Sequence, residues 1–384
     1  MLDDLLWGII LSAIDCNNFR SYHQLKLDEI GMLTLIIGPN ATGKTNLLEG
    51  IQYTTAATSF RHPTLLHLIR SGEKNSWFKS VFEGDGRNLE VELRCSLDRK
   101  YFYLNGKKKQ AHKIRGILPS VLFCPDDLNL IKGSQSVKRT QLDLLGSQIS
   151  SGYNAVRKDY EKILRQKNSC LKQEMPHEYL SSINEVLASI GAQLYHLRSQ
   201  LVTSLIPYIQ DYYHELSLGR EEVSIRYIPS WERAEANPEE YQENAWVDRH
   251  TAQELLVQKM ENDYPKEHER HMSLYGPQID RIEFYLDKRN ASSFASQGQQ
   301  RSLVLSYKMA EVALIKEKLG QNPLLLLDDV MSELDNDRRS ALFSLLSEGI
   351  QTFITATNSE MFDESLKKQA RIVELGFDGV VSYG

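Results

Sequence analysis

Two kinds of hydrophobic pattern alternate near both ends of this chain. Short, continuous apolar runs at residues 33–37 and 324–327 are typical of strands that are buried on both faces of a parallel sheet. Longer stretches carry apolar residues at helical spacing, and the clearest of them covers residues 299–319 and stops at Gly320. Strands that alternate with helices in this way predict an α/β fold.

The middle of the chain has a different pattern. Residues 140–275 are mainly helical in spacing, with one strand candidate at 223–227. Residues 180–218 predict one long helix or a pair of helices, with a break near Pro207. Because no heptad repeat is sustained, this stretch predicts a compact lobe and not a long coiled-coil arm.

A glycine-rich turn joins the first apolar run to a helix-like stretch at residues 46–53. The turn fits the pattern G-x4-G-K-[ST] with Gly38, Pro39, Asn40, Ala41, Thr42, Gly43, Lys44 and Thr45. Its backbone N–H groups and the helix N-terminus favour a polyphosphate, whereas the alternative is a purely structural turn. We expect Lys44 to reach the β- and γ-phosphates of ATP and the Thr45 hydroxyl to bind Mg²⁺.

The second apolar run ends in two carboxylates, Asp328 and Asp329. At the carboxyl end of a parallel strand, Asp328 is placed to share the Mg²⁺ with Thr45. We expect Asp329, one residue further, to orient or deprotonate the attacking water. Both are therefore candidate catalytic residues.

A third element opens the helix at residues 299–319. Ser296, Gly298 and Gln299 stand at its N-terminus, where the helix dipole and the free N–H groups favour an anion. One nucleotide does not need two such sites from one chain. The sequence therefore predicts that this helix contacts the γ-phosphate of ATP held by a second subunit, in an ATP-dependent homodimer, with residues 332–335 near the same contact.

Taken in order, these motifs resemble the RecF family of ATP-binding-cassette ATPases. The matching stretches are residues 18–22 (NFRSY), 43–49 (GKTNLLE), 125–134 (PDDLNLIKGS), 296–301 (SQGQQR) and 325–335 (LLLDDVMSELD). The resemblance implies ATP-dependent dimerisation, DNA binding, and slow ATP hydrolysis as a release switch. It also implies repair of single-stranded gaps and stalled replication, with RecO and RecR as partners in RecA loading and SOS induction.

The resemblance also implies an ABC-type P-loop ATPase head of the α/β class, with an inserted, mainly helical second lobe. Residues 1–139 would be the N-terminal part of the ATPase lobe and residues 140–275 the insertion. Residues 276–384 would be its C-terminal part, with the signature helix, the Walker B strand and the D-loop. At most a weak, DNA-stimulated ATPase is implied.

Two departures from the family pattern stand out. Ala41 replaces a second glycine of the loop; since alanine is comfortable only at negative φ, we expect a slightly different backbone there. After Gly276 and Pro277 the family usually continues with His-Arg-Asp-Asp, where this chain has QIDR at residues 278–281.

The distribution of charge is compatible with DNA binding despite a net charge of −6. Residues 231–270 hold eleven acidic and five basic residues, and the rest of the chain is balanced. A hairpin signal at Asn105 and Gly106 lies in a stretch free of acids, whose basic residues are Arg99, Lys100, Lys107, Lys108, Lys109, Lys113 and Arg115. Six more cations are Arg157, Lys158, Lys162, Arg165, Lys167 and Lys172. Each patch predicts either sequence-independent phosphate contact or a solvated face. We expect the hairpin tyrosines to be core residues and not platforms for base stacking.

Other classes of function are less consistent with the sequence. A small-molecule kinase would use the aspartate pair to activate a substrate hydroxyl but has no need of the Ser296 helix, and a cassette-type defence ATPase usually carries a nuclease domain. The four cysteines are scattered without a C-x-x-C pair, so neither disulfides nor zinc are expected. The apolar start at residues 5–14 lacks the basic flank of a signal peptide and the length of a membrane span, so we expect a cytoplasmic protein without a membrane anchor.

Overall fold

The computed structural model describes residues 9–61, 63–84, 86–115, 117–232, 239, 241–331, 334–335, 338–340, 342–343, 349–376 and 381–383. The chain divides into two compact units, one made of Met1–Asp127 and Glu311–Gly384 and the other of Leu128–Ala310. The three segments predicted from the sequence, residues 1–139, 140–275 and 276–384, remain a prediction, because this division does not test them.

The elements are numbered along the chain. The strands are β1 (Ile10–Asn17), β2 (Gln24–Leu27), β3 (Leu33–Ile37), β4 (Asn75–Gly84), β5 (Arg87–Ser96), β6 (Lys100–Leu104), β7 (Lys107–Lys109), β8 (Ser120–Phe123), β9 (Val223–Ile228), β10 (Arg281–Leu286), β11 (Arg289–Asn290), β12 (Leu324–Asp328), β13 (Thr352–Ala356), β14 (Arg371–Leu375) and β15 (Val381–Tyr383). The helices are α1 (Lys44–Ala56), α2 (Leu65–Leu68), α3 (Asn129–Lys132), α4 (Gln135–Ile149), α5 (Ser151–Lys172), α6 (His177–Ser217), α7 (Arg249–Asn262), α8 (Tyr264–Arg270), α9 (Ala291–Phe294), α10 (Gln297–Leu319) and α11 (Glu364–Gln369).

A six-stranded sheet in the first unit has the order β15-β14-β3-β13-β12-β8 and is parallel except for β15. Every residue of β3, β12 and β13 is buried, as the continuous apolar runs predicted. Since β13 lies between β3 and β12, the glycine-rich turn and the aspartate pair leave the same edge of the sheet on strands that are next but one to each other.

The second sheet of this unit is antiparallel, with the order β2-β1-β4-β5-β6-β7. Along its strands, successive side chains point to opposite faces of the sheet. The inward side chains Phe78, Leu93 and Phe102 belong to the same buried core as Leu47 and Leu48 of α1. The core therefore fixes the helix that follows the glycine-rich turn.

The other unit is mainly helical. Helices α5, α6 and α7 pack side by side, and a short sheet has the order β11-β10-β9. The predicted break near Pro207 is wrong, because α6 continues for 41 residues with Pro207 inside it. Proline removes one backbone hydrogen bond, and the buried apolar side chains before and after it (Leu205 and Ile209) hold the helix in place.

The α/β class is confirmed: one unit holds a mostly parallel sheet, the other unit is mainly helical, and the described helices form no long coiled coil. The start of the chain up to residue 8 and Ser332 and Glu333 of the predicted D-loop lie outside the described residues. Among the helices that the structure describes, none has the length and apolar character to cross a membrane.

Candidate nucleotide site

The glycine-rich turn depends on two glycines for different reasons. A Cβ at Gly38 would lie 2.3 Å from the carbonyl oxygen of Leu375 on the neighbouring strand β14, which no side chain tolerates. Gly43 has φ +101°, and a Cβ there would meet Ser21 Oγ at 2.8 Å and Tyr22 Oη at 2.9 Å. The turn is therefore held tightly against its surroundings, with its amides at the start of α1.

Ala41 adopts φ +70°, the left-handed conformation that favours glycine. Alanine is thus held outside the negative φ range in which it is comfortable, at a strain of about 1 kcal/mol. The slightly different backbone expected from the sequence stays a prediction.

We therefore predict that Ala41→Gly raises the free energy of unfolding by roughly 0.5 kcal/mol, since relief of the strain outweighs the greater freedom of glycine in the unfolded chain. Urea unfolding without nucleotide measures it. The matched control is Ala56→Gly at the end of α1, where φ is negative and the same change should destabilise. A destabilising Ala41→Gly would contradict this account.

The Lys44 ammonium lies across the turn. It donates to the carbonyl oxygens of Gly38 at 2.6 Å and Pro39 at 3.0 Å, and the residue is only 8% exposed. Burial lowers the pKa of Lys44, and the nearby carboxylates of Asp329 and Asp328 oppose that shift. A buried ammonium whose partners are mostly neutral carbonyls is suited to receive phosphate oxygens.

Thr45 and Asp328 are brought together although 283 residues separate them. The Thr45 hydroxyl donates to Asp328 Oδ1 at 2.9 Å, and Thr355 donates to the same oxygen at 2.9 Å. Burial raises the pKa of Asp328, and the hydrogen bonds from Thr355 and Thr45, with the guanidinium of Arg61, oppose the shift. A hydroxyl beside a carboxylate is a donor set that suits Mg²⁺, which takes its other ligands from water and phosphates. Among the described residues no group of three or more His, Cys, Asp or Glu side chains could hold a metal alone.

Thr355 was not singled out in the sequence. It is paired with Asp328 across the parallel strands β12 and β13, and its hydroxyl also accepts the backbone N–H of Asp329 at 2.9 Å. One threonine therefore positions both aspartates. The signal available in the sequence was a threonine near the carboxyl end of a short buried strand, TFITA.

Asp329 leaves the strand in an unusual conformation. Its φ is +54°, which aspartate tolerates better than most residues, and it is half-buried. Its carboxylate is close enough to Lys44 to oppose the burial that lowers the pKa of that ammonium. Strained residues of this kind persist where the surroundings determine them, often at reactive sites.

The NFRSY stretch supports α1 from behind. Arg20 makes a bidentate ion pair with Glu49, at 2.7 Å for both bonds, and Ser59 donates to Glu49 at 2.5 Å. The Glu49 side chain is completely buried, and Tyr22 donates to the carbonyl oxygen of Gly43 at 2.8 Å. These residues act on the turn and its helix, a role that the sequence match alone did not reveal.

We predict that Arg20→Ala lowers the free energy of unfolding by about 3 kcal/mol, because it leaves the buried Glu49 carboxylate with Ser59 and only the more distant, partly exposed Arg61 guanidinium at 3.9 Å. Chemical denaturation measures the loss. Arg99→Ala is the control: Arg99 and Asp98 form an ion pair whose side chains are 69% and 73% exposed, so its removal should change stability by less than about 0.5 kcal/mol. Equal losses in the two variants would contradict the prediction.

Ser296 and Gln299 form a capping box in the other unit. Ser296 Oγ accepts the backbone N–H of Gln299 at 3.2 Å, and Gln299 Oε1 accepts the N–H of Ser296 at 2.6 Å. Helix α10 consequently begins at Gln297, two residues before the predicted start, with Gly298 in its first turn. The Gln299 amide also donates to Glu221 at 2.5 Å. The Ser296 hydroxyl keeps its own proton for an external acceptor.

The two basic patches are only partly what the sequence suggested. The hairpin of β6 and β7 is confirmed, with Asn105 and Gly106 at its turn in positive φ, and all residues of β7 are exposed. In the second patch, Lys167 is not a surface cation, because its ammonium is buried against Glu267 at 2.6 Å.

The hairpin tyrosines are not core residues, so that prediction is wrong. In β6 the inward residue is Phe102, which is 4% exposed, while Tyr101 and Tyr103 lie half-buried on the opposite face of the sheet. The pattern was misassigned because three aromatic residues stand side by side, and a strand can bury only alternate ones.

Comparison with known proteins matches residues 10–376 to the family of RecF/RecN/SMC N-terminal domains. A DNA replication and repair protein RecF of Lactobacillus johnsonii is 33% identical over 371 residues, which are 95% of this chain and 97% of that protein. The protein of the same name from Symbiobacterium thermophilum is 36% identical over 353 residues, 91% of this chain and 92% of that protein.

Solved structures agree. The recombination mediator protein RecF with ATP, of the RecFOR pathway, has a TM-score of 0.89 at 27% identity, and all of both chains is covered. The Smc head domain of Pyrococcus furiosus with an extended coiled coil, at 16% identity and a TM-score of 0.54, is similar in fold alone, over 98% of this chain and 96% of that one.

Proposed function

This chain belongs to the RecF family, and we propose that it is an ATP-switched DNA-binding protein of recombinational repair. It closes into a homodimer on DNA when ATP and Mg²⁺ are bound, at single-stranded gaps and stalled replication forks. There it works with RecO and RecR in RecA loading and SOS induction, and slow ATP hydrolysis releases it. The observation that carries the proposal is the hydrogen bond of 2.9 Å between Thr45 and Asp328, beside Lys44.

The ATP part of the proposal is supported by the chemistry of the turn. Lys44 supplies a cation for the β- and γ-phosphates, the turn supplies backbone amides, and Thr45 with Asp328 would hold the Mg²⁺ that bridges the phosphates. The similarity to the RecF structure with ATP extends over the whole chain and agrees with this assignment.

The slow turnover is supported by the residue at the position of the general base. Asp329 has a side chain that is one methylene shorter than glutamate, the residue that many cassette ATPases use there. A carboxylate that reaches less far toward the water is a weaker general base. ATP would then persist long enough to act as a signal.

The dimer is supported by the N-terminus of α10. Ser296 is exposed and its hydroxyl proton is not needed for the capping box, so it is suited to donate to a phosphate oxygen. One nucleotide that already has the turn and α1 does not need a second such site from the same chain, so we assign this helix to the nucleotide of another subunit.

Sedimentation of the protein with ATP, with ADP and with a gapped duplex tests the proposal directly. We expect a monomer with ADP and a dimer with ATP that is strengthened by DNA. A protein that stays monomeric with ATP and DNA, while it still binds ATP, would disprove the switched dimer.

The role of Ser296 can be separated from its role as a cap. We predict that Ser296→Asp keeps the cap, because aspartate is as good an N-cap as serine, and abolishes the ATP-induced dimer by repulsion from the partner's phosphate. Ser296→Arg should also abolish it through bulk, but it loses the cap at a cost of about 1 kcal/mol. Ser296→Ala, which loses the cap and the hydroxyl donor without adding bulk or charge, is the control and should weaken the ATP-induced dimer without abolishing it.

The affinity of the monomer for ATP shows whether α10 contacts the nucleotide of its own chain or that of a partner. Equilibrium binding at low protein concentration should give the same ATP affinity for Ser296→Asp as for the unaltered protein. If the variant lost ATP binding outright, α10 would serve the nucleotide of its own chain, and the dimeric mechanism would fail.

A further inference from the structure

The outer face of the antiparallel sheet carries aromatic rings beside cations. Trp77, Arg94 and Tyr101 are opposite one another on β4, β5 and β6. In the adjacent row stand Lys79, Glu92, Tyr103 and Lys108, of which Lys108 is on β7. We call Trp77, Lys79, Arg94, Tyr101, Tyr103 and Lys108 the outer aromatic face.

Each ring of this face has a cation over it. Lys108 Nζ is 3.5 Å from the centroid of the Tyr101 ring, the Arg94 guanidinium is 4.4 Å from that of Tyr103, and Lys79 Nζ is 6.0 Å from that of Trp77. The three rings are half-buried and therefore keep part of their surface exposed. Cation–π contacts of this kind hold the charged groups at the level of the rings.

The position of Arg94 is fixed by the sheet itself. Its guanidinium makes two hydrogen bonds to the Glu92 carboxylate, at 2.7 and 2.8 Å, and Glu92 is 7% exposed. A planar, anchored guanidinium over a tyrosine ring presents a flat surface at the centre of the face.

Charge is distributed unevenly across this face. Toward β1 and β2 the cations are paired with acids: Lys26 forms an ion pair with Asp28 at 2.8 Å, and Lys79 forms one with Glu90 at 3.5 Å. Toward β6 and β7 no acid occurs between residues 99 and 115, and Lys107, Lys108 and Lys109 are exposed. A polyanion is therefore attracted to the edge of the sheet where Tyr101 and Tyr103 lie.

We propose that the outer aromatic face binds single-stranded DNA. One base stacks on the Tyr101 ring as Lys108 turns from it to a phosphate, another stacks on the Tyr103 ring with its covering Arg94 guanidinium, and phosphates lie along Lys107, Lys108 and Lys109. The proposal rests on the proposed function, because it names the surface for one of its DNA substrates. Every base has a flat face that can stack on an aromatic ring whatever the sequence. In a duplex those faces are covered by neighbouring bases, so rings on a sheet select the single strand.

The first test uses the unaltered protein. Fluorescence anisotropy compares oligo(dT) with an abasic oligomer of the same length and charge. Stacking on two rings predicts at least about tenfold tighter binding of oligo(dT). Equal affinity for the two oligomers would overturn the proposal, because phosphate contact alone would then explain the binding.

The second test uses matched variants. Tyr101→Leu and Tyr103→Leu should each weaken oligo(dT) binding about fivefold or more, whereas Tyr101→Phe and Tyr103→Phe keep a ring and should bind within about twofold of the unaltered protein. None of the four should change affinity for duplex DNA. Leucine variants that bind oligo(dT) normally would overturn the proposal.

A further variant separates this proposal from the proposed function. Reversal of Lys107, Lys108 and Lys109 to glutamate should weaken the single strand and reduce the slope of its binding against salt. If the protein still forms its ATP-dependent dimer on duplex DNA but does not discriminate oligo(dT) from the abasic oligomer, the aromatic face is refuted and the switch stands. Tighter binding of the matching RNA oligomer would refute the choice of DNA.

Discussion

Asp329→Asn is expected to reduce ATP hydrolysis by about 10²- to 10⁴-fold while ATP is still bound, because an amide cannot accept the proton of the attacking water. The structure gives this variant little other reason to fail. Asparagine tolerates φ +54° as well as aspartate, and the backbone N–H that donates to Thr355 is unchanged. Single-turnover hydrolysis measures the effect, and sedimentation should show a dimer that persists on DNA.

Asp287→Asn is the matched control for this variant. Asp287 also has a positive φ, +47°, and lies in the turn between β10 and β11 in the other unit. The same chemical change there should leave hydrolysis unaltered. If Asp329→Asn hydrolysed ATP at the rate of the unaltered protein, Asp329 would have no part in the reaction.

Lys44→Met is expected to weaken ATP binding by at least about 30-fold, since loss of one partner of a buried, hydrogen-bonded charge pair costs about 2–5 kcal/mol. The chain should remain folded. Methionine loses the two bonds to carbonyl oxygens, but it also removes the cost of burying the ammonium, the cause of its lowered pKa. We expect stability within about 2 kcal/mol of the unaltered protein.

Lys100→Met is the matched control for the charge itself. Burial also lowers the pKa of Lys100, but its ammonium lies 5.0 Å from the Tyr53 ring centroid and not across the turn. Titration calorimetry with ATP and Mg²⁺ should find near-normal affinity in that variant. A Lys44→Met protein that bound ATP normally would rule out the assignment of the turn.

The nucleotide site was predictable because its residues are local in sequence or end an apolar strand. A glycine-rich turn between a strand and a helix fixes the place of Lys44 and Thr45. The apolar run of β12 ends in Asp328, so the sequence itself places this carboxylate at the end of a buried strand. That both meet at one edge followed from the parallel sheet. The role of Thr355 could not be predicted, because it depends on β13 lying between β3 and β12 in the sheet.

Residues with two plausible environments were harder to place. Lys167 stands among cations that are exposed, and only the packing of α5 against α8 shows that it is buried beside Glu267. Tyr101 and Tyr103 are apolar enough for a core, and the register of β6 decides which face they share. Pro207 shows the limit of local rules, because the buried side chains around it outweigh one missing hydrogen bond.

The hydrogen bond that joins Thr45 to Asp328 also has a consequence for the synthesis of the protein on the ribosome. At about 5–20 residues per second, a ribosome finishes the second half of this site roughly 15–60 s after the first half. During that interval β3 has neither β13 nor β14 beside it, although all five of its residues are buried in the finished sheet. The nascent chain thus lacks a complete nucleotide site, and termination anywhere before β12 yields a fragment that can never form one.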